Sequence, residues 1–241
     1  MTPDVKVYLP PREDDPDWGP RMRFRLTYEG ELRASGRDPE NGQRDRMAAH
    51  KQAIRKVFHG QLKHLWQTNK FLNEYKVTPQ EPHVSPGAVM QSTGLFSIGS
   101  PGVIPLSEHV ASNYRENGYR FVPLVREEIS LLCSLNILLL RRDFPHGVIS
   151  AGDLDNRIKT LIDALRKPHS ANELRGNEVP AQGEDPFFCL LEDDDLVTAL
   201  SVETDMLLDH PDTNVKNSQV KIVISVELKP DHVTMFNLSF A

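Results

Sequence analysis

The stretch ISLLCSLNILLL, residues 129–140, is the longest apolar run in the chain and decides the fold class. In an extended strand, Ile129 and every second residue after it share one face, while leucines add apolar weight to the other. A strand that is apolar on both faces is typical of the interior of a sheet. The run is too short to cross a bilayer, and serine and asparagine interrupt it. We therefore predict a central strand here.

Further segments on either side show clear periodicity. Met22–Tyr28 alternates apolar with arginine or threonine, which predicts a strand with one apolar face. An apolar stripe from about Arg44 to Asn69 predicts a long helix with basic residues on its remaining positions. Leu154–Arg166 predicts a second helix, residues 189–204 a turn into a strand, and Val220–Leu228 a last strand. The predicted class is α+β: a mixed β-sheet packed with helices, with one long basic helix near the N-terminus.

The remaining segments suggest how the chain is organised. Residues 1–20 are rich in proline and acid, which predicts an extended lead-in. Residues 21–241 are predicted to form a single domain with two insertions, at about 77–122 and 169–187. Proline, glycine and serine recur in 77–122 with little periodicity, so we expect short strands or turns there.

Composition excludes several classes. The 241 residues are 39% hydrophobic and 26% charged, which is typical of globular proteins rather than disordered chains. The N-terminal residues lack the layout of a signal peptide, so we expect a cytoplasmic protein that does not enter a membrane. Cys133 and Cys189 lie in apolar runs, which predicts small core residues in a reducing compartment. His50, His59 and His64 do not have zinc-ligand spacing and are interpreted as surface or core residues.

The charge of −6 is unevenly distributed. Asn41 to Lys76 carries eight Lys or Arg against two acids, whereas Asn177 to Val215 carries eleven acids and no Lys or Arg. A pI of about 5.8 argues against general polyanion binding. The basic helix could still contact phosphate and the acidic segment could still hold a cation, but composition alone favours a solvated face for each.

Two acidic motifs carry the candidate chemistry. Gly152–Lys159 reads GDLDNRIK and begins a predicted helix, and Leu191–Val197 reads LEDDDLV and leads into a predicted strand. Crowded carboxylates repel one another unless a cation or a proton neutralises them, and Mg²⁺ prefers such oxygen ligands. Each part also has a structural explanation: Asp153 as an N-cap, Asp155 with Lys159 as a surface ion pair, and the aspartate run as a turn.

These motifs resemble the RusA family of Holliday-junction resolvases. The first stands as Asp153-Leu154-Asp155-Asn156-Arg157-Ile158-Lys159 and continues to Asp163-Ala164-Leu165; the second stands as Glu192-Asp193-Asp194. The resemblance covers about residues 125–230. It implies metal-binding acids at Asp153, Asp155 and Asp194, a catalytic lysine at Lys159, and Mg²⁺ or Mn²⁺ as cofactor. It also implies a homodimer that cleaves branched DNA in recombination and repair.

The chain departs from the family in its length and in its acidic balance.

The resulting hypothesis is metal-dependent hydrolysis of a phosphodiester in branched or structured DNA. Asp153, Asp155 and Asp194 hold the ions, and Lys159 stabilises charge that develops on the phosphate. Three neighbours are expected to orient these ligands: Asn156, Asp193 and Glu192. Four basic residues of the long helix are expected to contact the nucleic-acid backbone: Lys51, Arg55, Lys56 and Lys63.

Two alternatives remain open. The pair Asp153 and Asp155 also fits a nucleotidyltransferase, but the Gly-Ser that such a site needs nearby occurs only at Gly99-Ser100, far upstream. The other alternative is a catalytically inactive protein with the resolvase fold that binds protein partners through its insertions.

Overall fold

The computed structural model of the chain describes residues 22–34, 44–77, 104–142, 152–174, 176–208 and 219–234, together with Asn237 and Phe240. The predicted lead-in 1–20 lies outside the described residues. The chain divides into two compact units. We call Met1–Gly36, Val125–Ile162 and Leu191–Ala241 the sheet unit. Arg37–Leu124 and Asp163–Leu190 form the helix unit.

The described residues form strands and helices in mixed order along the chain. The strands are β1 (Arg23–Glu31), β2 (Lys76–Val77), β3 (Ile104–Pro105), β4 (Arg115–Glu116), β5 (Tyr119–Val125), β6 (Leu131–Arg141), β7 (Phe187–Leu191), β8 (Val197–Met206) and β9 (Gln219–Pro230). The helices are α1 (Arg44–Thr68), α2 (Lys70–Glu74), α3 (Leu106–Asn113) and α4 (Gly152–Leu165). No helix in the described ranges has both the length and the apolar character that a membrane span requires.

A four-stranded mixed sheet in the order β1-β9-β6-β8 forms the sheet unit. Strand β9 is antiparallel to both β1 and β6, whereas β6 and β8 are parallel. Strand β6 is therefore an interior strand, as its two apolar faces predicted. The α+β class and the mixed sheet are both confirmed.

The two faces of this sheet differ because side chains alternate along each strand. Leu26, Ile224 and Ile137 stand in register across three strands, and all three are almost fully buried. The neighbouring row on the opposite face is polar and consists of Arg25, Ser225, Asn136 and Ser201. Cys133 lies on the buried face, as predicted, and burial raises the pKa of its thiol to about 12.

The helix unit packs around α1 and an aromatic cluster. Ile54, Phe58 and Leu62 recur every four residues along α1 and are buried, which confirms the predicted apolar stripe. A small sheet in the order β4-β5-β7 supplies all but one member of the cluster, and the 3-10 turn Ala171–Leu174 supplies the other. Its buried members are Tyr119, Phe121, Leu174, Phe187 and Cys189.

Part of the predicted insertion at 77–122 is regular structure. Residues 78–103 lie outside the described residues. Strands β3, β4 and β5 agree with the expected short strands, whereas Leu106–Asn113 form α3, a helix that was not expected. Eight residues give too little periodicity to distinguish a helix, and only Leu106, Val110 and Ala111 are buried in it. Strand β5 is buried almost throughout. The segment therefore supplies core structure.

Candidate metal centre

The acidic run forms a tight turn between β7 and β8. Asp193 has an extended backbone, and Asp194–Leu196 follow as one 3-10 turn. This geometry brings the carboxylates of Asp193, Asp194 and Asp195 together, with one ligand oxygen from each lying within 4.8 Å of the others. Asp193 is half-buried and the other two are exposed. Three negative charges at this separation repel, so a bound cation would stabilise the turn.

Glu192 anchors the turn to the backbone at the end of β5 and just after it. Its carboxylate accepts a hydrogen bond from the N–H of Glu127 at 3.0 Å. Its own N–H donates to the carbonyl of Val125 at 2.9 Å. Glu192 was predicted to orient metal ligands. Its two hydrogen bonds fix the position of the backbone from which the aspartate run begins.

The other predicted ligands lie on the first turns of α4. Asp155 and Lys159 are both exposed and are one helical turn apart. Among the ion pairs of the described residues, none joins these two side chains. Asn156 is half-buried, and its carbonyl accepts the hydroxyl of Thr160 at 3.0 Å. Asp153 is the second residue of α4, but its side chain lies outside the described part.

The structure thus gathers some predicted residues and not others. Within the described ranges, Asp193, Asp194 and Asp195 are the only group of three or more His, Cys, Asp or Glu residues whose ligand atoms lie this close together. Asp155 is not a member of this group. Asp195 was not predicted as a ligand, although its place in an unbroken run of three aspartates was a signal.

The donor set fits a hard divalent cation. Every ligand atom in the cluster is a carboxylate oxygen, which suits Mg²⁺ or Mn²⁺ better than metals that favour nitrogen or sulfur. Asp193, Asp194 and Asp195 are the residues that would hold the ion. Exposed acidic groups are common without a metal, so the cluster is a candidate centre.

The four basic residues predicted to bind nucleic acid all make contacts inside the helix unit. Lys51 pairs with Asp163, and Lys56 pairs with Glu184 at 3.0 Å. Lys63 donates to the carbonyl of Gly183 at 2.9 Å. The two ion pairs offset the charge of Lys51 and Lys56, whereas Lys63 binds a neutral carbonyl and keeps its charge uncompensated there.

Arg55 departs furthest from the prediction because it is only 1% exposed. Its Nε donates to the carbonyl of Arg166 at 3.1 Å and one terminal nitrogen donates to the carbonyl of Asp163 at 2.9 Å. Both carbonyls lie at the C-terminal end of α4, where backbone acceptors lack helical partners. Burial lowers the pKa of Arg55 to about 10, which still leaves it charged at neutral pH. Its burial argues against a contact with nucleic acid.

Asp163, which belongs to the motif shared with the resolvases, also has structural contacts. It is 6% exposed and pairs with Lys51, and its carboxylate lies 3.8 Å from Nε of Arg166. Two of the predicted nucleic-acid contacts on α1, Lys51 and Arg55, therefore bind Asp163 of this motif instead.

Comparison of the chain with protein-family models, with curated proteins and with solved structures gives no match.

Proposed function

We propose that this protein is a divalent-metal-dependent endonuclease that hydrolyses phosphodiesters in DNA. The observation that carries the proposal is the cluster of three aspartate carboxylates within 4.8 Å at the start of β8. The acidic motif at the start of α4, with its resemblance to RusA-type resolvases, supports the same chemistry. Branched or structured DNA as substrate, a homodimer and a cytoplasmic location are parts of this proposal.

The proposed roles follow from charge and position. Asp193, Asp194 and Asp195 would hold Mg²⁺ or Mn²⁺, and Asp153 and Asp155 would complete the ligand set as the resemblance implies. The bound ion would supply Lewis-acid stabilisation of a phosphoryl oxygen. Lys159, exposed one turn after Asp155, places a positive charge that favours the transition state of phosphate displacement.

A second candidate function is favoured by the contacts of α1. Because Lys51, Arg55, Lys56 and Lys63 all bond within the helix unit, the helix offers less positive charge to DNA than its sequence suggests. That observation favours a non-catalytic protein that keeps the fold and acts through protein partners.

The test is cleavage of a labelled synthetic four-way junction, beside duplex and single-stranded DNA, in Mg²⁺, Mn²⁺ or EDTA. Wild type is compared with Asp155→Asn and Asp194→Asn. Asp205→Asn is the matched control, because Asp205 is an exposed aspartate on β8 outside the cluster. We expect metal-dependent nicking that both site variants abolish and the control retains. Cleavage by Asp155→Asn at the wild-type rate would refute the assignment.

Metal binding is measured separately, by electron paramagnetic resonance of added Mn²⁺. We expect Asp194→Asn and Asp195→Asn to weaken Mn²⁺ binding, while Asp205→Asn leaves it unchanged. A folded protein that binds Mn²⁺ at this cluster but cleaves none of the three DNA substrates would favour the non-catalytic function.

A further inference from the structure

Ser130, His232 and Asp231 form a chain of polar contacts in the sheet unit that the proposed nuclease chemistry does not use. Oγ of Ser130 lies 3.2 Å from Nε2 of His232. Nδ1 of the same ring lies 3.6 Å from a carboxylate oxygen of Asp231. A hydroxyl, an imidazole and a carboxylate in this order are the groups that activate a serine nucleophile.

Ser130 occupies an unusual backbone conformation. It follows the 3-10 turn Glu127–Ile129 and has φ of 49° and ψ of 44°, in the left-handed region. A non-glycine residue rarely adopts this region, and such residues are concentrated at functional sites. Here it places the serine on a sharp turn immediately before β6, where its side chain is half-buried rather than enclosed.

Backbone bonds hold the segments carrying the serine and the histidine together. The N–H of Asp231 donates to the carbonyl of Ser130 at 2.9 Å. Asn237, which is fully buried, donates to the carbonyls of Ile129 at 2.8 Å and His232 at 2.9 Å. These bonds hold the backbones of the two segments side by side, which lowers the entropy cost of bringing base and nucleophile together.

We propose that Ser130 is a nucleophile activated by His232, with Asp231 as a positioning residue, and that it accepts short acyl groups from activated esters. Nε2 of His232 takes the hydroxyl proton as Oγ attacks the ester carbonyl carbon. The bond to the leaving alcohol then breaks, and the leaving oxygen takes that proton. Water hydrolyses the acyl-serine by the reverse proton path, which yields a carboxylic acid and restores Ser130. This proposal is independent of the metal centre.

The class of substrate follows from two features. The N–H of Ser130 donates to the carbonyl of Glu127, and the N–H of Leu131 donates to the carbonyl of Arg126. Neither can stabilise an oxyanion without breaking its bond, so esters with good leaving groups are favoured over amides. The His232 and Asp231 side chains are 66% and 68% exposed, which leaves the site open to water and suits short acyl groups.

The test uses p-nitrophenyl acetate with the full chain in EDTA, which removes any contribution from the metal centre. Intact-protein mass spectrometry measures acetylation and peptide fragmentation locates it. Ser130→Gly removes the nucleophile and keeps the left-handed backbone accessible. Ser112→Ala is the matched control, because Ser112 is an exposed serine whose hydroxyl donates to a backbone carbonyl.

We expect one acetyl group on Ser130 in wild type and in Ser112→Ala, and none at residue 130 in Ser130→Gly. Removal of the base by His232→Gln should slow Ser130 acetylation by about a hundredfold or more. Asp231→Asn should slow it by only about two- to fivefold, as expected for an exposed charge contact.

His232→Ala provides a readout that a merely structural role would not move, because added imidazole should restore acetylation of Ser130. Far-UV circular dichroism establishes that each variant is folded. Acetylation of Ser130 at an unchanged rate in His232→Gln, or acetylation confined to lysines in wild type, would overturn the proposal.

Discussion

Arg55 carries a charge into the interior of the helix unit and binds the end of α4 from there. Replacement by methionine keeps much of the side-chain volume but removes the donors to the carbonyls of Asp163 and Arg166. Buried acceptors without donors are costly, so Arg55→Met should lower the free energy of unfolding by about 3 kcal/mol. Urea denaturation followed by circular dichroism measures this loss.

Gln67→Ala is the control for Arg55→Met, because Gln67 is exposed on the same helix. Its effect should stay within about 0.5 kcal/mol. If Arg55→Met lowered the free energy of unfolding no more than Gln67→Ala does, the buried hydrogen bonds of Arg55 would contribute little to stability.

His59 is held in its neutral form by its contacts. Nδ1 accepts the N–H of Phe188 at 2.9 Å, and Nε2 lies 3.3 Å from the carbonyl of Gly183. This pattern requires a proton on Nε2 alone. Burial is the main cause that lowers the pKa of His59, and the charge of Lys63 acts in the same direction. The Gly183 bond and Glu184 act in the opposite direction but do not outweigh burial.

The consequence is a loss of stability in mild acid. As the pH falls below about 6.5, His59 takes up a proton in the unfolded chain but not in the folded one. The free energy of unfolding therefore decreases with pH until the pH reaches the lowered native pKa. The slope for this one group approaches about 1.4 kcal/mol per pH unit. We expect His59→Gln to lack this part of the slope between pH 7.5 and 5.5, in urea titrations at each pH.

The matched variant for the pH experiment is His64→Gln, because His64 is exposed on the same helix. It should keep the pH dependence of wild type. If His59→Gln and wild type lose stability in parallel across the range, the neutral state of His59 is not what links folding to pH.

The roles of single residues on α1 were the least predictable part of the molecule. The sequence shows an amphipathic helix with lysine and arginine on its polar face, and such side chains are usually solvated. Their partners Asp163 and Glu184 follow more than 100 residues later, where no local pattern connects them to α1. Only tertiary structure distinguishes an internal ion pair from a contact to phosphate.

At the scale of elements, length and regularity determine what the sequence predicts. Strands β1, β6 and β9 and helices α1 and α4 were predicted within a few residues of their bounds, because each repeats its pattern several times. Helix α3 was not predicted because it is short. The division into two units was also not predicted, since β5, α4 and β7 each contribute residues to both.

Strand β9 offers a direct measure of how the two faces of the sheet differ. Ile224 is fully buried between Leu26 and Ile137, whereas its neighbour Val223 lies half-buried on the other face. Ile224→Ala should lower the free energy of unfolding by about 3 kcal/mol, because it leaves a cavity in a packed core. Val223→Ala should lower it by about 1 kcal/mol or less. Equal losses in urea denaturation would contradict the assigned faces.

At the scale of the molecule, the acidic site was predicted in part. The aspartate run itself indicated a cluster, because consecutive acids in a turn cannot separate far. The relation of Asp155 to that cluster could not be derived from spacing, since 38 residues separate Asp155 from Asp194 and the chain passes through the helix unit between them. The metal ligand set that combines both motifs therefore stays a prediction.

The chain path also bears on how the whole molecule unfolds. Helix α4 runs without interruption across the division between Ile162 and Asp163. Strands β5 and β7 likewise end one residue past two other divisions, at Val125 and Leu191. Breaking one unit would fray elements that the other needs, so we expect a single cooperative unfolding transition.

Trp66, buried in the helix unit, reports on that unit alone once Trp18 is replaced by phenylalanine. Introducing Ile224→Ala, a change in the sheet unit, should shift the Trp66 fluorescence midpoint and the circular dichroism midpoint together. A Trp66 midpoint that stays at its original value while circular dichroism becomes biphasic would show that the units unfold independently.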